Sequence, residues 1–152
     1  MRKKWIGMLT NVKLRLHEEL IQELLSYSVF PDPDRLEQTI QQYETDDSLL
    51  LFGYESESVM VGIIGFRLNK ERELVITHLS VGPESRGVGF GRGIILETIE
   101  EMKPVTLIAE TDEEAVEFYR SIGFIINSLG EQYPETERFR CIYEVEEETL
   151  NE

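Results

Sequence analysis

The sequence has one cysteine, Cys141, and two histidines, His17 and His78. One cysteine excludes an internal disulfide and any cysteine-cluster zinc site, and so few histidines argue against a catalytic metal. Positive charge is scarce: 15 Lys and Arg face 30 Asp and Glu, for a net charge of −15. Such a surface repels nucleic-acid phosphates, so no nucleic-acid partner is expected, while a cationic partner or substrate is compatible with it. No apolar run approaches the roughly 20 residues of a membrane span. The apolar stretch at residues 5–9 is too short for a signal peptide, and Lys13 and Arg15 follow it closely. A cytoplasmic protein with no membrane partner is expected. Internal repeats and low-complexity linkers are lacking too.

What is present is the material of one soluble folded domain: 152 residues, 41% hydrophobic and 30% charged. After a candidate N-terminal strand, "HEELIQELLSYS" places Leu20, Ile21, Leu24 and Leu25 on one helical face. "FPDPDRLEQTIQQY" opens a second helix, with Asp32 as N-cap, Pro33 at the first position, then Leu36, Ile40 and Tyr43. "SLLLFGYE", "SVMVGIIGFRL" and "ELVITHLSV" read as three antiparallel strands in a meander. A helix follows with Ile94, Ile95, Ile99 and Met102 on its apolar side, then the short strand "VTLIAE". "DEEAVEFYRSIGF" repeats Ala115, Phe118, Tyr119 and Ile122 at helical spacing and stops at Gly123. "FIINSL" and "RFRCIYEV" close the chain as strands, the second alternating Phe139, Cys141 and Tyr143 on one face. The acidic tail "EVEEETLNE" is expected to fray. The class is α/β with a mostly antiparallel sheet; a parallel pair is expected only across residues 73–110.

Between the third meander strand and its helix, Gly87, Gly89, Gly91 and Gly93 occupy every second position. Helix N-termini expose unpaired N–H groups and partial positive charge. Glycines let those groups converge, and let an anion approach without meeting a Cβ. A merely tight turn is the plainer reading, but one glycine would serve it. The Gly-Lys-Ser/Thr ending of a phosphate-binding Walker loop is missing, and G-x-G-x-x-G fails from Gly87 (Arg92 is sixth) and from Gly89 (Ile94 is sixth).

The stretch Arg86-Gly87-Val88-Gly89-Phe90-Gly91 resembles the acyl-CoA motif of the GCN5-related N-acetyltransferase (GNAT) superfamily, (Gln/Arg)-x-x-Gly-x-(Gly/Ala). "HLSVGPESRGVGFG" is similar to that superfamily's leucine-x-valine-x-proline strand end, and "ETDEEAVEFYRSIGF" to its second signature, with Ala115, Phe118, Tyr119, Gly123 and Phe124 in place. The likeness covers about residues 48–145. It implies that residues 1–152 form one acyl-CoA N-acyltransferase domain. Helices would flank a mixed, mostly antiparallel central sheet, and splayed parallel strands, 73–81 and 105–110, would form an acyl-CoA cleft.

The resemblance also implies an activity: transfer of an acetyl group from acetyl-CoA, as cosubstrate, to a small amine or protein amine by direct attack, with no metal. Backbone groups of Leu79, Ser80 and Val81 would pair with the pantetheine arm. Amides of Gly87, Val88, Gly89, Phe90, Gly91 and Arg92 would hold the pyrophosphate, helped by the charge of Arg86 and Arg92. Phe118 is carried over as a cofactor contact. Tyr119 would protonate the departing thiolate; a core role for it is the competing reading. Asp112 stands where many relatives have asparagine, and it is also a good N-cap. Where some relatives carry an acidic residue, this chain has Thr77 and His78, and His78 is the candidate base, with Glu110 a remoter one. A non-catalytic acyl-CoA-binding sensor or scaffold is the alternative, and a nucleotide-binding protein a third. Residues 26–34 and 128–138 are the expected acceptor segments. Neither names the acceptor, and a homodimer is left open.

Overall fold

The structure, a computed structural model, describes residues 7–146. Those from 147 on, where the tail is expected to fray, lie outside it. A short strand, β1 (Met8–Asn11), precedes two helices, α1 (Glu19–Ser26) and α2 (Pro33–Thr45). Then come β2 (Leu50–Ser56), β3 (Val59–Leu68), β4 (Glu73–Val81), α3 (Phe90–Met102), β5 (Thr106–Asp112), α4 (Val116–Ile122), β6 (Ile125–Tyr133) and β7 (Thr136–Glu144). The seven strands form one sheet in the order β1-β2-β3-β4-β5-β7-β6. Every pairing is antiparallel except β4 with β5. A right-handed crossover through a helix is what a parallel neighbour requires, and α3 supplies the connection.

Alternating side chains split the core between the two faces of the sheet. One cluster gathers Ile94, Ile95 and Ile99 of α3 and Tyr119 of α4 on Ile64, Phe66, Leu74 and Leu107. The other gathers Ile21, Leu24 and Leu25 of α1 and Tyr43 of α2 on Leu51 and Ile63. The start of α2 forms as its sequence predicts: the Asp32 carboxylate accepts the Asp34 N–H at 2.9 Å, with Pro33 at the first position.

Two expectations need correction. Leu20 is 43% exposed, so the buried face of α1 is Ile21, Leu24 and Leu25 alone. The helix has eight residues and its stripe is narrow; Leu20 falls at its solvent edge. The second concerns residues 128–138, expected as a variable segment. They are mostly paired strand: β6 runs on to Tyr133, and Pro134 and Glu135 form the turn into β7. Register shifts between Ser128 and Gly130 and between Glu131 and Tyr133 disturb the alternation, so the strand does not read as one in the sequence.

Candidate functional site

The parallel pairing is brief. Glu73, Leu74 and Val75 pair with Thr106, Leu107 and Ile108, and there it ends. Beyond that point β4 stays on β3 up to Val81, and β5 stays on β7 up to Asp112. The two strands have parted in the middle of a sheet, and residues 76–81 of β4 have one open edge. The Gly82 N–H donates to the Val61 carbonyl at 2.8 Å, which sets the phase of the antiparallel ladder. In such a ladder alternate residues turn their main-chain groups away from the partner. Here those residues are Leu79 and Val81, and they face the side that β5 has left. Ser80, between them, faces β3, and its hydroxyl donates to the Leu24 carbonyl of α1.

At the open end of that gap lies a groove of about 430 Å³, lined by Val81, Ser85, Arg86, Gly87, Gly89, Phe90, Gly91, Arg92, Phe118 and Ser121. The four glycines around it do two different jobs. Gly87 and Gly89 have φ of +85° and +92°, and a Cβ on either would meet nothing within 4 Å. Backbone conformation requires them. Gly91 and Gly93 sit inside α3 and serve close packing. A Cβ at Gly91 would lie 2.9 Å from the Phe118 ring, and one at Gly93 2.9 Å from the Tyr54 hydroxyl. Phe118 can therefore lie against the first turn of α3, where free N–H groups end. Val88, at the loop tip, is 67% exposed.

The groove is locally basic in an acidic molecule. Neither Arg86 nor Arg92 forms an ion pair among the described residues. Arg86 is held instead by its Nε donating to the Val81 carbonyl at 2.9 Å, and by the ring of Tyr27, 5.5 Å below its guanidinium. The terminal nitrogens of Arg86 have no partner among the described residues and are placed to meet an anion. Tyr27 comes from the segment between α1 and α2, so one of the two expected acceptor segments touches the loop.

Tyr119 projects inward from α4 and is 7% exposed, its ring between those of Phe118 and Phe124 at 5.1 Å from each. Its hydroxyl has no hydrogen-bond partner among the described residues. Burial, and secondarily Cys141, pushes its pKa up, so it stays protonated. Asp112 is not the cap of α4, whose N-cap is Ala115 with no side-chain cap bond; the Asp112 carboxylate accepts the N–H groups of Glu114 at 3.0 Å and Ala115 at 3.2 Å and so fixes the turn ahead of the helix. His78 is half-buried, and burial lowers its pKa to about 4, so it is neutral at ordinary pH. Its Nδ1 lies 2.6 Å from the Tyr43 hydroxyl of α2. Glu110 is exposed at the far end of β5. The structure thus brings Val81, the loop and Phe118 to one groove; Asp112, His78 and Tyr119 lie outside its lining. Nothing in the sequence marks Ser85 or Ser121 as lying on the groove, Tyr27 as lying against Arg86, or Tyr43 as lying beside His78. Tyr43 sits at core spacing in α2, and no local signal separates it from a packing residue.

The family model described as Acetyltransferase (GNAT) domain matches residues 16–134. An uncharacterized N-acetyltransferase in the lysA 3' region of Bacillus methanolicus is 35% identical over 79 residues, 51% of this chain and 66% of that protein. The alignment therefore spans just under two thirds of that relative's length. Among solved structures, a protein assigned to the GNAT acetyltransferases of Desulfovibrio desulfuricans superposes with a TM-score of 0.76 at 15% identity, covering 92% of this chain and 99% of its own. The spermidine/spermine N-acetyltransferase SpeG of Vibrio cholerae gives 0.67 at 19%, covering 91% and 92%. An IAA acetyltransferase of Bacillus cereus gives 0.68 at 17%, covering 91% and 99%. At these identities the structures establish a shared fold.

Proposed function

The chain belongs to the GNAT acetyltransferase family, and on that premise we propose that it moves an acetyl group from acetyl-CoA to an amine by direct attack of the amine on the thioester. The observation that carries this reading is the gap between β4 and β5 opening onto the glycine loop. An extended pantetheine arm lies in the gap and pairs with the outward main-chain groups of Leu79 and Val81, as an added strand would. The Val81 carbonyl is already occupied by Arg86, so this pairing ends there and the diphosphate begins. Amides between Gly87 and Arg92 cradle the diphosphate, with Arg86 and Arg92 supplying charge. Phe118 flanks the same groove. Asp112 contributes by fixing the turn into α4, which carries Phe118 and Tyr119.

Two groups handle protons. Tyr119, neutral and buried, protonates the thiolate as the tetrahedral intermediate collapses. His78 takes the proton that the amine loses, directly or through a water. Chemistry proceeds within one ternary complex, with no acetylated side chain between. The acceptor is an amine, small or on a protein, and the net charge favours a cationic one. SpeG, named for spermidine and spermine, is a structural neighbour of that kind. Calorimetric titration tests the cofactor: acetyl-CoA is expected to bind, and ATP and NAD not to displace it. Displacement by ATP or NAD at equal concentration would favour a nucleotide site instead.

A further inference from the structure

We propose that Tyr43 is a positioning residue for His78: it holds the imidazole in the tautomer that carries its proton on Nδ1, leaving the Nε2 lone pair to accept the proton of the attacking amine. The inference rests on the assignment of His78 as proton acceptor and adds how that residue is prepared for the task.

The Tyr43 hydroxyl, on a residue with no exposed surface, lies 2.6 Å from His78 Nδ1 and 2.6 Å from Thr77 Oγ1. Two consecutive strand residues ordinarily point to opposite faces and cannot share a partner. They do so here because β4 is bulged: Gly65 pairs with His78 and Phe66 with Ile76, so Thr77 is the extra residue. The opposing strand makes room for the hydroxyl, since a Cβ on Gly65 would come within 1.9 Å of it. Bulge, glycine and tyrosine together build one three-membered polar cluster.

A phenol has one proton to give. With His78 as its only neighbour it would donate to Nδ1, and Nε2 would have to carry the ring proton. That tautomer cannot take a proton at its free nitrogen. Thr77 changes the count by offering the phenol proton another acceptor. The distances allow either oxygen of the Tyr43–Thr77 pair to donate; in the arrangement proposed, Nδ1–H donates to the Tyr43 oxygen and Tyr43 O–H donates to Thr77 Oγ1. The Nε2 atom of His78 has no partner among the described residues, and it is the open nitrogen. When the amine's proton reaches Nε2, the imidazolium is stabilised by the same Nδ1–H bond, and nothing else moves. Burial raises the Tyr43 pKa to about 12, with Thr77 and Arg67 as lesser, opposing influences, so the phenol stays neutral and does not itself become the base.

The test is nitrogen NMR of the full chain labelled with 15N-histidine, near pH 7, without ligand. Only His17 and His78 report, and exposed His17 serves as the reference. Wild-type His78 is expected to show a protonated Nδ1 and a lone-pair Nε2. Thr77→Val keeps the β-branched shape and removes only the second acceptor; it is expected to send the proton to Nε2. Tyr43→Phe is expected to do the same, and to lower kcat for acetyl transfer to spermidine, used as probe amine, without changing KM for acetyl-CoA. A protonated Nε2 in the wild type, or a tautomer indifferent to both substitutions, overturns the proposal. The tautomer is read without any reaction. A chain that acetylates no amine yet shows the expected tautomer contradicts the proposed activity and leaves the positioning intact.

Discussion

Tyr119, buried, and His78, half-buried, are both held in their neutral forms, and each gives a prediction of its own. The Tyr119 hydroxyl makes no hydrogen bond among the described residues, so Tyr119→Phe removes no partner from the core. Melting temperature is expected to stay within a degree or two, while kcat falls about a hundredfold, the lower end for general acid catalysis given a thiol leaving group. Full activity in that variant would assign Tyr119 to packing alone. For His78 the folded pKa, about 4, lies below its ordinary value of 6.5 because burial disfavours the charged ring. The unfolded chain therefore binds a proton between pH 6.5 and 4 that the folded chain refuses. Stability from this group is complete above pH 6.5 and is lost as pH falls toward 4. The size, discounted for partial exposure, is about 2 kcal/mol. Denaturant titrations of wild type and His78→Gln at several pH values should show a shallower acid-side fall in the variant; parallel curves would refute it. The loop and Phe118, which line the groove, were legible because they stand in two ordered signatures. Tyr43 was not, because what matters about it is a hydroxyl placed by the fold.

Among the elements, the helix that carries the groove has glycines on two sides with different neighbours. Gly91 faces Phe118 and lines the groove, whereas Gly93 faces Tyr54, in the core beneath it. Overpacking a tight contact costs about 1–3 kcal/mol, so Gly91→Ala and Gly93→Ala should both lower the melting temperature. Only Gly91→Ala is expected to weaken acetyl-CoA binding, by about tenfold, since it displaces Phe118 from the groove wall. Equal dissociation constants for the two variants, measured by calorimetry below their melting points, would break the link between Phe118 and the ligand. Most elements announced themselves in the sequence through alternation or helical spacing. The far part of β6 did not, because two register shifts interrupt its pattern. The parting of β4 and β5 is invisible for a different reason: pairing partners are distant in sequence, and nothing local marks where a ladder stops.

For the molecule as a whole, a net charge of −15 surrounds a groove whose two arginines have no acidic partner among the described residues. The field attracts cations at long range and leaves anion binding to local contacts. kcat/KM for a cationic acceptor such as spermidine should fall several-fold between 50 and 500 mM salt, roughly as screening shortens the Debye length. The KM for acetyl-CoA should change less. A preference for acidic acceptors would show that the charge serves solubility only.

We propose direct transfer from acetyl-CoA to an amine at the gap beside the glycine loop. Initial rates of free thiol release, measured over a grid of acetyl-CoA and amine concentrations for a panel of amines and peptide N-termini, test it most directly. Amine-dependent release with intersecting double-reciprocal lines is expected, as a ternary complex requires. Parallel lines would mean an acetylated enzyme, and no amine-dependent release from any member of a broad panel would contradict acetyl transfer.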